Sequence, residues 1–135
     1  MRLLALTRLA SIALISTGAI TLNPRLTLGG SPFRHVHLAK SDPSANDTTA
    51  SPKAVRLWFS EKVELKVTTV KLASAAGSSI ALGKLSRSDT VTDAPVVATI
   101  SRVLAPGFYT VSWSTASKDG HAAKGTIDFV VKAAR

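Results

Sequence analysis

The clearest alternation of apolar and polar positions runs over Phe108–Ser114. Tyr109, Val111 and Trp113 point one way there, and Phe108, Thr110 and Ser112 the other. A period of two is the signature of a strand, whose successive side chains leave on opposite faces. Lys124–Val131 repeats the pattern, with Ile127, Phe129 and Val131 alternating against Thr126, Asp128 and Val130. Val55, Leu57 and Phe59 share one face of Ala54–Phe59, and Val63, Leu65 and Val67 recur at the same period within Val63–Leu72. Ile80–Leu85 predicts a weaker strand, and the β-branched residues of Val96–Val103 another. Between them, Lys40–Pro52, Ala73–Ser79 around Gly77 and Ser86–Pro95 are small or polar and read as loops, and Pro106-Gly107 marks a tight turn. No stretch after residue 35 sustains a helical period. Short strands punctuated by turns predict an all-β antiparallel sandwich or barrel, with Trp58, Tyr109, Trp113 and Phe129 in its core.

The first residues follow a different rule. Residues 1–22 read as a secretory signal: Arg2 supplies a positive start, Leu3–Leu6 begins an apolar run, and Leu9–Ile15 resumes it after Arg8. The uninterrupted apolar stretch is too short to predict a membrane span. Thr17-Gly18-Ala19 has the small residues that a signal peptidase prefers, whereas the junction of Arg34 with His35 fits that rule badly. Cleavage is therefore expected between 19 and 34. Residues 23–34, with Pro24, Gly29, Gly30 and Pro32, form a linker or the end of the leader, and residues 35–133 form one folded domain.

Charge and composition narrow the partners. Four of the 17 basic residues (Arg2, Arg8, Arg25 and Arg34) precede His35, leaving 13 against eight acids, a net charge of +5 for a chain beginning there. Lys53, Arg56, Lys62, Lys66, Lys71, Lys84, Arg87 and Arg102 are scattered, with no arginine-rich run and no basic stripe interleaved with aromatics. This describes a basic soluble surface and predicts no nucleic-acid partner. The chain has no cysteine, which excludes disulfides, thiolate metal sites, iron–sulfur clusters and cysteine nucleophiles.

The remaining chemistry lies with three histidines. His35 and His37 open the domain, and His121 closes Ser117-Lys118-Asp119-Gly120-His121, between the two clearest strands. A sandwich gathers its loops and strand ends at two edges, so an N-terminal strand can carry His35 and His37 beside Asp119 and His121. Imidazoles with one carboxylate and no sulfur suit divalent copper, nickel or zinc. If His35 were the first residue of the mature chain, its α-amine and ring Nδ1 would chelate one ion together. With Asp119 and His121 this makes three nitrogens and one oxygen, a tetragonal set favouring Cu²⁺ or Ni²⁺. A blue-copper site needs a cysteine, and a methionine-rich Cu⁺ site is excluded because Met1 is the one methionine. Nucleophilic hydrolysis through Asp119 and His121 would need a serine elbow, and no G-x-S-x-G motif is present.

Four stretches in order resemble the CopC-type periplasmic copper-binding proteins. His35-Val-His37-Leu38-Ala-Lys-Ser41-Asp-Pro43 is similar to that family's opening. Val55-Arg-Leu57-Trp-Phe59-Ser60-Glu61-Lys-Val63-Glu64 and Leu104-Ala-Pro-Gly107-Phe-Tyr109-Thr-Val111-Ser-Trp113 are similar to two of its strands. Ser117-Lys-Asp119-Gly-His121 with Gly125-Thr-Ile-Asp-Phe129-Val-Val131 is similar to its ending. The resemblance implies an immunoglobulin-like Greek-key β-sandwich of about seven strands in the periplasm. It implies one Cu²⁺ bound by His35, Asp119 and His121, with His37 as an extra or neighbouring ligand and Glu61 behind the ligands, holding the amine or an imidazole. It further implies a monomeric, non-enzymatic protein of copper sequestration, trafficking or resistance, delivering to an inner-membrane transporter of the CopD type. Two other readings stay open: a metal-free immunoglobulin-like structural or adhesion module, and a copper-dependent oxidative enzyme.

Overall fold

Inward-facing apolar side chains from two sheets build the interior. Val55 and Leu57 come from one side, with Ala98 and Ile100. Leu72, Tyr109, Val111, Trp113, Ile127, Phe129 and Val131 come from the other. The structure is a computed structural model that describes residues 35–91 and 93–134. The expected signal segment, 1–22, and the linker, 23–34, lie outside the described residues. The strands are β1 (Leu38–Asp42), β2 (Thr48–Thr49), β3 (Ala54–Phe59), β4 (Thr69–Ser74), β5 (Ser79–Ile80), β6 (Val96–Thr99), β7 (Gly107–Ala116) and β8 (Ala122–Val131). A 3₁₀ turn, Leu65–Val67, joins β3 to β4.

The strands form a three-stranded sheet in the order β1-β3-β6 and a five-stranded sheet in the order β2-β8-β7-β4-β5. All pairings are antiparallel except β2 with β8, where Thr48 and Thr49 lie parallel to Val130 and Val131. The all-β sandwich expected from the alternation is therefore present. The two-residue strands β2 and β5 raise the count to eight. The β7–β8 hairpin, paired from Gly107↔Val131 to Ala116↔Ala122, is the longest ladder. At its foot the buried Tyr109 donates its hydroxyl to the Ala105 carbonyl, 2.9 Å away, and so anchors the turn before β7.

Several expectations change. Of Ile80–Leu85 only Ile80 is in a strand, the strand from Val96 ends at Thr99, and Ala73 and Ser74 belong to β4. Lys40–Pro52 is not simply loop, because Lys40, Ser41 and Asp42 belong to β1 and Thr48–Thr49 forms β2. Val63–Leu72 is not one strand: Val63 pairs singly with Ser117, the chain turns at Leu65–Val67, and β4 starts at Thr69. Trp58 is not core. It lies half-buried beside Arg56 on the outer face of the small sheet, under the Lys40 ammonium 4.9 Å from its ring centre. The alternation that sends Leu57 inward leaves Trp58 no other face.

Candidate metal centre

The β7–β8 ladder ends at Ala116↔Ala122, and the five residues between turn the chain tightly. The Ser117 amide donates to the His121 carbonyl at 3.0 Å, and the Gly120 amide to the Ser117 carbonyl at 3.0 Å. Gly120 has φ +89°, the left-handed region that residues with a Cβ rarely enter, which is why this turn carries a glycine between Asp119 and His121. Ser117 is 4% exposed and bridges Val63 in the neighbouring segment. The loop thus stands on a buried footing with Asp119 and His121 projecting from it.

The start of the domain reaches the same end of the sandwich. Val36 is buried against Val63 and Val96, near Phe59, Leu65 and Ala123. The alternation turns His35 and His37 outward. The His37 amide donates to Ser60 Oγ at 3.1 Å, and the His37 carbonyl accepts from the Ser60 amide at 2.9 Å, so the residue just after β3 holds this segment in place. The His35 ring then meets the His121 ring edge to face, with centres 5.6 Å apart and planes at 77°. The His37 ring approaches the His35 carbonyl through Nδ1 at 3.2 Å.

Asp119 is engaged on both oxygens. Oδ1 accepts from the Ser117 hydroxyl, and Oδ2 lies 2.8 Å from His121 Nδ1. The Ser117 hydrogen bond, followed by that of His121, holds the Asp119 carboxyl down at about 2, below its ordinary 3.8, against a smaller opposing effect of desolvation. The group is anionic throughout the neutral range. Among the described residues no three His, Asp or Glu side chains are gathered around one ion position.

Glu61, one residue past the Ser60 that holds His37, has Oε1 buried with no hydrogen-bond partner. It lines a cavity of about 320 Å³ with Phe59, Val63, Arg87 and Val96, where Arg87 donates to the Val63 carbonyl at 2.7 Å. A buried acceptor without a donor is uncommon and calls for an N–H or a cation. Ser117 lies within a motif recognised in the sequence. Its link to Asp119 was not foreseen, because a serine two residues before an aspartate carries no signal of its own.

A histidine-bearing N-terminal segment facing an Asp-Gly-His turn, at one end of a two-sheet sandwich, defines a class of small all-β proteins with a nitrogen- and oxygen-rich edge. Comparison with known proteins makes the class specific. The CopC domain model matches residues 38–132, and the chain belongs to that family. Protein YobA of Escherichia coli strain K12 is 32% identical over 123 residues, 90% of this chain and 92% of its own length. Copper resistance protein C of Xanthomonas campestris pv. juglandis is 27% identical over 114 residues, 76% of this chain and 84% of its own length. The crystal structure of PcoC, a methionine-rich copper resistance protein from Escherichia coli, superposes with a TM-score of 0.64 at 28% identity, covering 73% of this chain and 99% of that one. The present chain has one methionine, Met1, so it lacks the feature for which PcoC is described.

Proposed function

We propose that this protein binds Cu²⁺ outside the cytoplasm, as a sequestering or trafficking protein in copper resistance or supply. The observation that carries the reading is the meeting of His35 with His121, 5.6 Å between ring centres, beside the anionic Asp119. Copper is the cargo. His35 and His121 supply imidazole nitrogen, Asp119 supplies charge and an oxygen, and His37 stands next to the set through the His35 carbonyl. The donors fit the ion: all are nitrogen or oxygen, none is sulfur, and among divalent metals copper has the highest affinity for such sites. In this reading Glu61, whose buried Oε1 lacks a donor, stands behind the ligands as an acceptor for a histidine N–H or an α-amine.

Imidazoles ligate only when deprotonated, so protons compete with the ion and acidification releases it. Asp119 remains charged while this happens. Family membership supports the periplasm as the compartment, and among the described residues no helix is long and apolar enough to cross a membrane. In this reading the protein is a monomer that passes copper to an inner-membrane transporter of the CopD type and performs no catalysis on it.

The test is Cu²⁺ titration of exported protein whose N-terminus has been fixed by intact mass. The wild type binds one ion saturably. His121→Ala and Asp119→Ala weaken binding by at least tenfold, the scale expected for ligands and the groups that support them. Saturable binding untouched by both substitutions moves copper away from this edge. No saturable binding favours a metal-free sandwich module.

A further inference from the structure

We propose that the outer face of the five-stranded sheet is a docking surface for a partner protein that brings to it an acidic segment and an apolar pocket. This face is distinct from the copper edge, and docking on it needs no metal.

Two rungs of the sheet set the chemistry. Thr69, Ser114 and Lys124 lie side by side across β4, β7 and β8, and Lys71, Ser112 and Thr126 form the next rung. All six alternate with inward-facing neighbours and are exposed. They offer ammonium and hydroxyl groups and no carboxylate. Among the described residues, none of the six side chains has a hydrogen-bond or ion-pair partner. The next rung carries the first carboxylate of this face, Asp128, which already accepts from Thr110 Oγ1 at 2.6 Å. The donors nearer the hairpin tip are thus left for an anion from outside. Beyond Thr110, Phe108 pairs with Val130 and is 67% exposed over a shallow cleft shared with Ala75. Along β7 it lies roughly 14 Å from Ser112. An exposed aromatic is a residue type that anchors protein interfaces, and charges set apart from it fix the partner's orientation.

Charge selects among occupants. A second copy laid face to face would bring both pairs of lysines into one interface, which like charge disfavours. Recognition of an anionic leaflet takes clusters of roughly four to eight basic residues, and these rungs supply Lys71 and Lys124 alone. A protein segment bearing glutamate or aspartate can pair with both ammonium groups, accept from the hydroxyls and seat Phe108 in an apolar pocket. The Ser114–Lys124 rung is one same-face step from Ala116↔Ala122, where the hairpin turns towards Asp119 and His121. A docked partner therefore stands beside the copper edge.

The probe is a synthetic peptide with a run of glutamates at one end and leucines at the other. It is titrated at low ionic strength into the ¹⁵N-labelled exported protein and followed by amide ¹H–¹⁵N correlation. Shift changes are expected to concentrate on the outward residues of β4, β7 and β8. Lys71→Glu combined with Lys124→Glu weakens binding by about tenfold, and Phe108→Ser by about fivefold. The same charge reversal at Lys53 and Arg102, exposed positions off this face, changes it by less than about twofold. No binding of the peptide, wild-type shift changes scattered over the basic surface, or equal weakening by the Lys53 and Arg102 reversals would each overturn the proposal, whether or not the other variants fold. Tighter binding to phosphatidylglycerol vesicles than to the peptide, lost in the Lys71 and Lys124 variant, overturns it in favour of a lipid surface. Dimerisation of the wild type in sedimentation, lost with Phe108→Ser, overturns it in favour of a second copy.

Discussion

Asp119 shows how a solvent-facing side chain can be held by its neighbours. The Ser117 and His121 hydrogen bonds favour its charged form and lower its pKa from 3.8 to about 2. A carboxyl depressed in the folded state contributes stability above its unfolded value, and that contribution is lost as pH falls through the folded value. The window is therefore between 3.8 and about 2. Asp119→Asn is expected to unfold earlier in urea than the wild type by a constant margin above this window, and by a shrinking margin within it. A margin that does not change with pH would show that the pairing contributes nothing to folding.

Among the elements, the β7–β8 hairpin was legible because its strands alternate over Phe108–Ser114 and Thr126–Val131 with large inward residues there. Tyr109, Val111, Trp113, Ile127, Phe129 and Val131 are all buried. β1 was not, since Lys40, Ser41 and Asp42 form an edge strand whose outward charges, Lys40 over Trp58 and Asp42 with Arg56 at 2.9 Å, look like loop composition. The break at Leu65–Val67 was hidden by a period of two that the chain does not use, leaving Val67 56% exposed. The edge carrying His35, Asp119 and His121 could be anticipated from chemistry and topology. The Ser117 link could not, because it depends on how a five-residue turn closes. Gly125 is a further element-level feature. It pairs with Trp113, and a Cβ there would stand 2.7 Å from ring carbon Cζ2 and 3.0 Å from Cε2. The indole cannot retreat readily, since it packs against Phe59 with ring centres 5.2 Å apart. Gly125→Ala is expected to destabilise the fold by about 1–3 kcal/mol and to alter the near-ultraviolet circular dichroism of tryptophan. An unchanged denaturation midpoint would mean that the ring moves aside at no cost.

For the whole molecule, the position at which the expected leader is cut sets which donors the proposed site can have. A mature chain beginning at His35 adds an α-amine to the site, and one beginning at Ile20 leaves plain imidazoles. The longer form is expected to bind Cu²⁺ more weakly, and mass spectrometry with titration on both forms would measure the difference. Equal affinities would exclude the amine from the site.

The two halves of the edge belong to different sheets: His35 leads into β1 of the three-stranded sheet, and Asp119 and His121 cap a hairpin of the five-stranded one. An ion held by both halves is a clasp across the seam of the sandwich. β1 is an edge strand, paired on one side alone, and the clasp would close where the chain enters it. At free copper a hundred times the dissociation constant, linkage adds about 2.7 kcal/mol to the closed form. Copper should therefore slow proteolysis and amide exchange in residues 35–42 more than in the β7–β8 ladder. Uniform protection would mean that the ion is not bridging the seam. A clasp of this kind ties cargo to fraying, so that whatever loosens the first strand also unloads the metal.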